Sequence, residues 1–240
     1  MIYAAVLAGG KGTRMKTIDL PKQFYEINEK PIIIYTIENI LKEKQIDKIY
    51  VAVIESYYDF MIKMCDKYFK GNNKIKVIVG GNERMDTIDN VTNAIINDNK
   101  VSDDDIIIVH DAVRPFISTK ILSDSIKYTK KYGATVAKIS AIDTILYSKS
   151  GEVVEDVPLR KNLYLGQAPD SFKLKKLIEY KNNLTDEQRK TITGTSQIWT
   201  LNNGKIHMID GSPYNFKITN DIDLALAETI INKEKFYENN

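Results

Sequence analysis

The chain has 240 residues, 43% hydrophobic and 28% charged, and its 34 lysines and arginines almost balance 32 aspartates and glutamates. That length buries roughly 70–75% of the unfolded surface, and ordinary apolar content with a net charge of +2 excludes disorder. A single cysteine, Cys65, excludes a disulfide framework and a cysteine-built zinc site; two histidines, His110 and His207, leave little for a histidine-built one, and near-neutrality argues against a dedicated nucleic-acid binder.

In chain order, Met1-Ile2-Tyr3-Ala4-Ala5-Val6-Leu7-Ala8 is apolar, short and without basic residues before it, so it reads as a buried strand and not a signal peptide. No apolar stretch reaches ~18 residues, so no membrane span is expected, and the expected location is cytoplasmic. Runs at residues 2–8, 48–54, 75–79, 106–109 and 135–139 are rich in Ile and Val on consecutive positions, the mark of parallel strands covered on both faces. Amphipathic segments lie between them. Ile33, Ile37, Ile40 and Leu41 share one helical face, as do Ile88, Val91 and Ile95, and Ser118 can cap a helix running to about Lys131. The alternation predicts an open parallel sheet with right-handed crossovers.

The rhythm breaks at about 140–165. Ser150-Gly151 between two apolar runs predicts a hairpin inserted into the single domain of residues 1–240. Such a hairpin has a poor core of its own, so it either packs on a partner or is a bare surface excursion. Beyond it the pattern predicts a helix over 171–181, a loop or short helix over 185–193, and strands near 206–209 and 216–219. A last helix starts at Asn220, with Asn220 and Asp223 as a capping pair and Ile222, Leu226 and Ile230 facing the core.

The first strand runs into Gly9-Gly10-Lys11-Gly12-Thr13-Arg14. Glycines at a strand end admit close approach of a ligand, and their amides form an anion-binding nest. The spacing fits neither a Walker A loop nor a dinucleotide fingerprint, so this is a phosphate-type loop of another kind or a plain turn. Lys22, in Pro21-Lys22-Gln23, is either solvated or a second cation for the same phosphate as Arg14. Gly80-Gly81-Asn82 through Thr87 suits a base or a phosphate at a helix start, or is a capped loop. Asp111, at the end of the fourth strand, stands where open α/β sheets bind ligands and where a carboxylate can hold Mg²⁺ beside phosphates. The Asp111–Arg114 spacing also suits a structural ion pair, and His110 a packed histidine. Lys217, flanked by Phe216 and Ile218, is expected in a strand, facing away from them.

Taken in order, Leu7-Ala8-Gly9-Gly10 to Arg14-Met15, Pro21-Lys22-Gln23, Gly80-Gly81 with Arg84, and His110-Asp111-Ala112-Val113-Arg114-Pro115 resemble the CTP-dependent polyol-phosphate cytidylyltransferases. The likeness runs from Ala4 to about Ile231. It implies a Rossmann-like α/β nucleotidyltransferase fold, with a mostly parallel twisted sheet flanked by helices. It also implies a β-arm at 140–165 that embraces the partner of a homodimer, and Mg²⁺ as cofactor. The implied reaction transfers CMP from CTP to a polyol phosphate and releases pyrophosphate, with neither nucleic acid nor membrane as partner.

Carried over by position, the resemblance implies that Arg14, Lys22 and Lys217 are catalytic. Leu7, Ala8, Gly9, Gly10, Gly12, Thr13, Gly81, Asn82, Thr87, Asp111 and Ala112 would bind the nucleotide. Asp111, Arg114, Thr144, Arg160 and Thr193 would bind the acceptor, with Thr144 and Arg160 acting across the dimer, and Asp111 would hold the metal. Ala8-Gly9-Gly10 and Leu163-Tyr164-x-Gly166-Gln167 are closer to the ribitol-5-phosphate branch. Ribitol 5-phosphate is therefore the expected acceptor, and 2-C-methyl-D-erythritol 4-phosphate the alternative. Two segments depart from both branches: Gln167-Ala168-Pro169-Asp170, usually Gln-Thr-Pro-Gln, and Thr193-Gly194, usually Thr-Asp. They leave room for another acceptor such as glycerol phosphate. Locally, Arg14, Lys22, Arg84, Arg114 and Lys217 are expected to converge, opposed mainly by Asp111.

Overall fold

The structure, a computed structural model, describes residues 1–10 and 20–233. Gly12, Thr13 and Arg14 lie outside the described residues. Nine strands and eight α-helices follow in chain order among those described: β1 (Ile2–Ala8), β2 (Glu26–Ile27), β3 (Lys30–Pro31), α1 (Ile32–Leu41), β4 (Lys48–Val53), α2 (Tyr58–Tyr68), β5 (Ile75–Val79), α3 (Arg84–Asp98), β6 (Ile106–Asp111), α4 (Thr119–Tyr132), β7 (Ala134–Ser140), β8 (Tyr164–Lys173), α5 (Leu174–Asn182), α6 (Asp186–Thr191), α7 (Ser196–Leu201), β9 (His207–Asp210) and α8 (Asp221–Asn232). The main sheet has the order β5-β4-β1-β6-β8-β7-β9.

β1 lies between β4 and β6 and is parallel to both, with Ala8 opposite Val53 and Leu7 opposite Asp111. The chain winds outward from β1 to β5, then returns to β6 on the other side. The crevice outside the carboxyl ends of β1 and β6 is therefore a topological switch point, where α/β sheets take ligands. Period-two alternation sorts the core onto two faces. Ala4, Val6 and Ala8 pack with Ile33, Ile37, Met61 and Leu122 on one side, while Tyr3 and Ala5 pack with Ile88, Val91, Ile95 and Leu177 on the other. The side chain of Ser118 accepts from Ile121 N, and Gly133 closes α4 at φ 86°. No helix among the described residues is long and apolar enough to cross a membrane.

Four expectations are corrected. β8 is a ten-residue strand antiparallel to both β6 and β7, so the sheet is mostly parallel, as the resemblance implies, and not the wholly parallel sheet that the alternation alone predicts. Residues 171–173 belong to this strand, and the following helix starts only at Leu174. Residues 216–219 form no strand: Lys217 sits in a loop pinned where Ile218 N donates to Val113 O at 3.0 Å. On α8 the Asn220–Asp223 capping box is present, but Ile222 and Leu226 face outward, at 81% and 48% exposed, while Leu224, Ala227 and Ile231 are buried. Ile230 alone of the expected trio packs, half-buried, on the cluster of Ile27, Ile32 and Phe116.

The 140–165 insertion is a sparse hairpin. One antiparallel bridge, Tyr147 to Asp156, holds it, and Gly151 turns the tip at φ 77°. Ile142, Leu146, Tyr147, Val153, Val154, Val157 and Leu159 are all exposed along it.

Candidate active site

A cavity of 460 Å³ opens at the carboxyl edge of β1 and β6. Three chain segments build it, each for a local reason. β1 ends at Ala8, and Leu7, Ala8, Gly9 and Gly10 form the floor. The buried side chain of Gln23 ties this floor to the next segment, its Nε2 donating to Ala8 O at 2.8 Å and Gly10 O at 3.3 Å. Lys22 and Gln23 ride on a single helical turn anchored by buried Phe24, which stacks on Tyr57 at 4.9 Å and meets Phe60 edge-on at 5.2 Å. Lys22 Nζ, in the cavity wall, donates to Thr219 O at 3.0 Å.

The second wall is the start of α3. Glu83 and Asp86 form a reciprocal capping box, and Gly81 N donates to Thr87 Oγ1 at 3.1 Å. A Cβ at Gly81 would overlap Asp86 and stand 2.9 Å from Thr87 N, so only glycine fits. Gly81, Asn82, Glu83, Arg84 and Thr87 all face the cavity.

The third segment is the end of β6. Buried Asp111 meets three cations: Arg114 Nε at 3.0 Å, Lys217 Nζ at 3.3 Å and Arg84 Nη1 at 3.4 Å. Burial pushes its carboxyl up, but Lys217, Arg84 and Arg114 together outweigh burial and hold it well below the usual carboxylate range. Arg114 also donates from Nη1 to Asn215 O at 2.8 Å, fixing the chain just before Lys217. His110 is buried with Nε2 donating to Arg114 O at 3.2 Å, and burial lowers its pKa to about 4. It is a neutral, packed histidine, not a ligand.

Beyond Arg84 lies a region that the sequence marks only through Thr193 and the departures at Asp170 and Gly194. Arg84 Nη2 donates to Thr195 Oγ1 at 3.1 Å, and Ser196 N donates to Asp170 Oδ2 at 3.1 Å. Burial raises the Asp170 pKa to about 6; Arg84 opposes the rise and the Asp111 charge adds to it. Asp170 stands where the resemblance expects an amide, and that departure was its only signal. Thr195 had none.

The expected residues thus divide. Leu7, Ala8, Gly9, Gly10, Lys22, Gly81, Asn82, Thr87, Asp111, Ala112 and Lys217 line one cavity. Arg114 stands behind Asp111 as the expected ion pair. Arg84, Arg114 and Lys217 converge on Asp111 as expected, but Asp170 is a second opposing carboxylate. Thr193 is exposed and bound to Gln197 Oε1, and does not line the cavity. Thr144 and Arg160 are exposed on the arm, with Arg160 Nη1 donating to Ile142 O at 2.9 Å. Among the described residues no cluster of three His, Cys, Asp or Glu forms a metal cage. Asp111, ionised and hard, suits an Mg²⁺ ion that takes its other ligands from phosphates and water.

The arrangement can gather negative charge. Three cations, Lys22, Arg84 and Lys217, line the cavity beside the glycine segments, and no nucleophilic side chain paired with a base is present among the described lining residues.

The family model described as IspD, 2-C-methyl-D-erythritol 4-phosphate cytidylyltransferase, matches residues 2–233. The fold is similar to 4-diphosphocytidyl-2C-methyl-D-erythritol synthase from Anaerococcus prevotii, with TM-score 0.79 and 22% identity over 97% of this chain and 96% of that one. It is also similar to 2-C-methyl-D-erythritol 4-phosphate cytidylyltransferase from Francisella tularensis, with TM-score 0.79 and 25% identity over 95% and 98%. The corresponding enzyme from Thermus thermophilus gives TM-score 0.70 and 20% identity over 95% and 98%.

Proposed function

This chain belongs to the IspD family and is a CTP-dependent cytidylyltransferase, and from that premise we propose that its acceptor is 2-C-methyl-D-erythritol 4-phosphate. The family match over residues 2–233 carries this reading; the Francisella and Thermus relatives above bear the same acceptor in their names, and the Anaerococcus one is named for 4-diphosphocytidyl-2C-methyl-D-erythritol. The ribitol 5-phosphate expectation gains no support from them. Its remaining basis is the Ala8-Gly9-Gly10 and Leu163–Gln167 likeness, so it stands as the second reading.

An oxygen of the acceptor's phosphate attacks the α-phosphorus of CTP. A new P–O bond forms, the bond to the β-phosphate oxygen breaks, and its electron pair leaves with pyrophosphate. The nucleophile is already an anion, so no general base is required. The barrier lies in bringing anions together and holding the charge of the transition state, which is the work of positioning and preorganised cations. The backbone of Ala8, Gly9 and Gly10 cradles the triphosphate, while Gly81, Asn82 and Thr87 receive cytosine and ribose. Lys22, with Arg14, holds the α-phosphate and the departing pyrophosphate. Lys217 meets the reacting phosphorus from the other side, its ammonium steered by Asp111. When bound beside Asp111, Mg²⁺ supplies further neutralisation of the phosphates.

The arm's exposed apolar side chains are covered by the arm of a second copy, which brings Thr144 and Arg160 to the partner's acceptor phosphate. A strictly monomeric mass in solution would remove both residues from the reaction.

The test is pyrophosphate release with CTP and Mg²⁺ over a panel of acceptors. Methylerythritol phosphate is expected to give the highest kcat/KM, ahead of ribitol 5-phosphate and glycerol phosphate. A preference for ribitol 5-phosphate would move the chain to the second reading.

A further inference from the structure

The loop at 193–197 is held in a way that nothing in the nucleotide chemistry requires. Gln197 Oε1 accepts from Thr193 N at 2.7 Å, Gly194 N at 2.9 Å and Thr193 Oγ1 at 3.0 Å, closing the loop on itself. Two bonds then fix the closed loop to the cavity. Fully buried Thr195 accepts from Arg84 Nη2 at 3.1 Å, and Ser196 N donates to Asp170 Oδ2 at 3.1 Å. Arg84 opens α3 and reaches Asp111 with its other terminal nitrogen. Asp170 is placed by β8, in register with Val109 of β6. The loop's position is therefore set by the same charged cluster that lines the nucleotide cavity. The Thr193 hydroxyl, exposed and with its proton committed to Gln197, keeps lone pairs for an incoming donor.

We propose that Arg84, Thr195 and Asp170 are positioning residues: they register the 193–197 loop, in which the resemblance places Thr193 at the acceptor, against the nucleotide side of the cavity. The proposal rests on the polyol-phosphate reading above. It separates two jobs within one cluster: Lys217 and Asp111 serve the phosphates, while Arg84 passes their position on to the acceptor loop.

Thr195→Val removes the hydroxyl at constant volume, and Thr195→Ser restores it. Gln197→Met opens the loop at a half-buried position without touching Arg84. Amide hydrogen exchange of residues 193–197, measured without substrates, is expected to speed up about tenfold in Thr195→Val and Gln197→Met, the equivalent of one lost hydrogen bond. The acceptor KM rises by about tenfold in both, with CTP KM changed by about twofold or less. Thr195→Ser stays near the wild type in both measurements. Unchanged exchange, or CTP and acceptor KM rising together, overturns the proposal. If the wild type turns over no polyol phosphate, the functional reading fails and the exchange measurement alone decides the positioning. If Thr195→Val does not fold, Gln197→Met decides both measurements.

Discussion

On the glycine side of the cavity, main chain sets the shape: Gly9 and Gly10 leave β1, Gly81 leads into a capped α3, and little side-chain bulk intervenes. On the loop side, residues 193–219 carry almost no regular pairing near the site, and side chains do the holding through Arg84 to Thr195, Asp170 to Ser196, and Arg114 to Asn215. Backbone-built walls tolerate little change in size but considerable change in charge around them. Side-chain-built walls behave in the opposite way. The contrast gives the nucleotide a fixed wall and leaves the opposite wall open to change by side-chain substitution.

Substitutions can break that contrast. The largest effect is expected at the seam, where Lys217→Ala lowers kcat by about 10²–10³, the cost of one preorganised charge, with the folded state intact. Steady-state kinetics beside a thermal melt checks this, and a loss of melting temperature in step with kcat would make Lys217 a structural cation instead.

Next comes Asp170 on the loop side. Its pKa is 3.8 when unfolded and about 6 when folded. Below the lower value both states hold the proton and nothing is gained or lost. Between the two the folded state keeps a proton that the unfolded state releases, so stability falls as pH rises. Above the upper value the full cost of about 3 kcal/mol stands. Asp170→Asn, which still accepts from Ser196 N, should raise stability near pH 7.5 and leave it unchanged near pH 4. Denaturant melts at both pH values measure the difference, and equal curves at both would remove the charge penalty.

Gly81→Ala acts on the opposite wall. Overpacking costs about 1–3 kcal/mol, read as CTP affinity weakened by about 10–100-fold in calorimetry. Unaltered affinity would mean that the backbone wall gives way. The smallest effect is expected on α8: Ile222→Asp should shift stability by no more than about 0.5 kcal/mol, against about 2–5 kcal/mol for Leu224→Ala. Equal costs would reverse the assignment of its faces.

The glycine side was legible in the sequence because strand, glycines and capping residues each leave a local mark. β1, β5 and the caps at Ser118 and Asn220 sit where those marks place them. β8 escaped because Gly166 and Pro169 interrupt its pattern and a register shift at Val136/Ala137 breaks its pairing with β7. Residues 216–219 alternate like a strand, yet Ile218 N donates to Val113 O and the Thr219 hydroxyl donates back to Lys217 O instead of the segment joining the sheet. Helix α8 offers two apolar stripes, and only the packing of Ile27, Ile32 and Phe116 decides which is buried. Thr195 is one threonine among many until Arg84 is seen beside it. Side-chain walls are made by contacts distant in sequence, and no local pattern announces them.

The antiparallel placement of β8 has a consequence for how the protein comes into being. β7 has no bond to β6; its neighbours are β8 and β9. During synthesis, β6 therefore emerges and folds against β1 with its other edge bare, a row of Ile106, Ile107, Ile108 and Val109, until residues 164–173 arrive. An uncovered apolar strand edge is a template for joining another chain. The interval between β6 and β8 is thus when the growing chain is most exposed to aggregation, and slowing translation across it should lower the soluble yield.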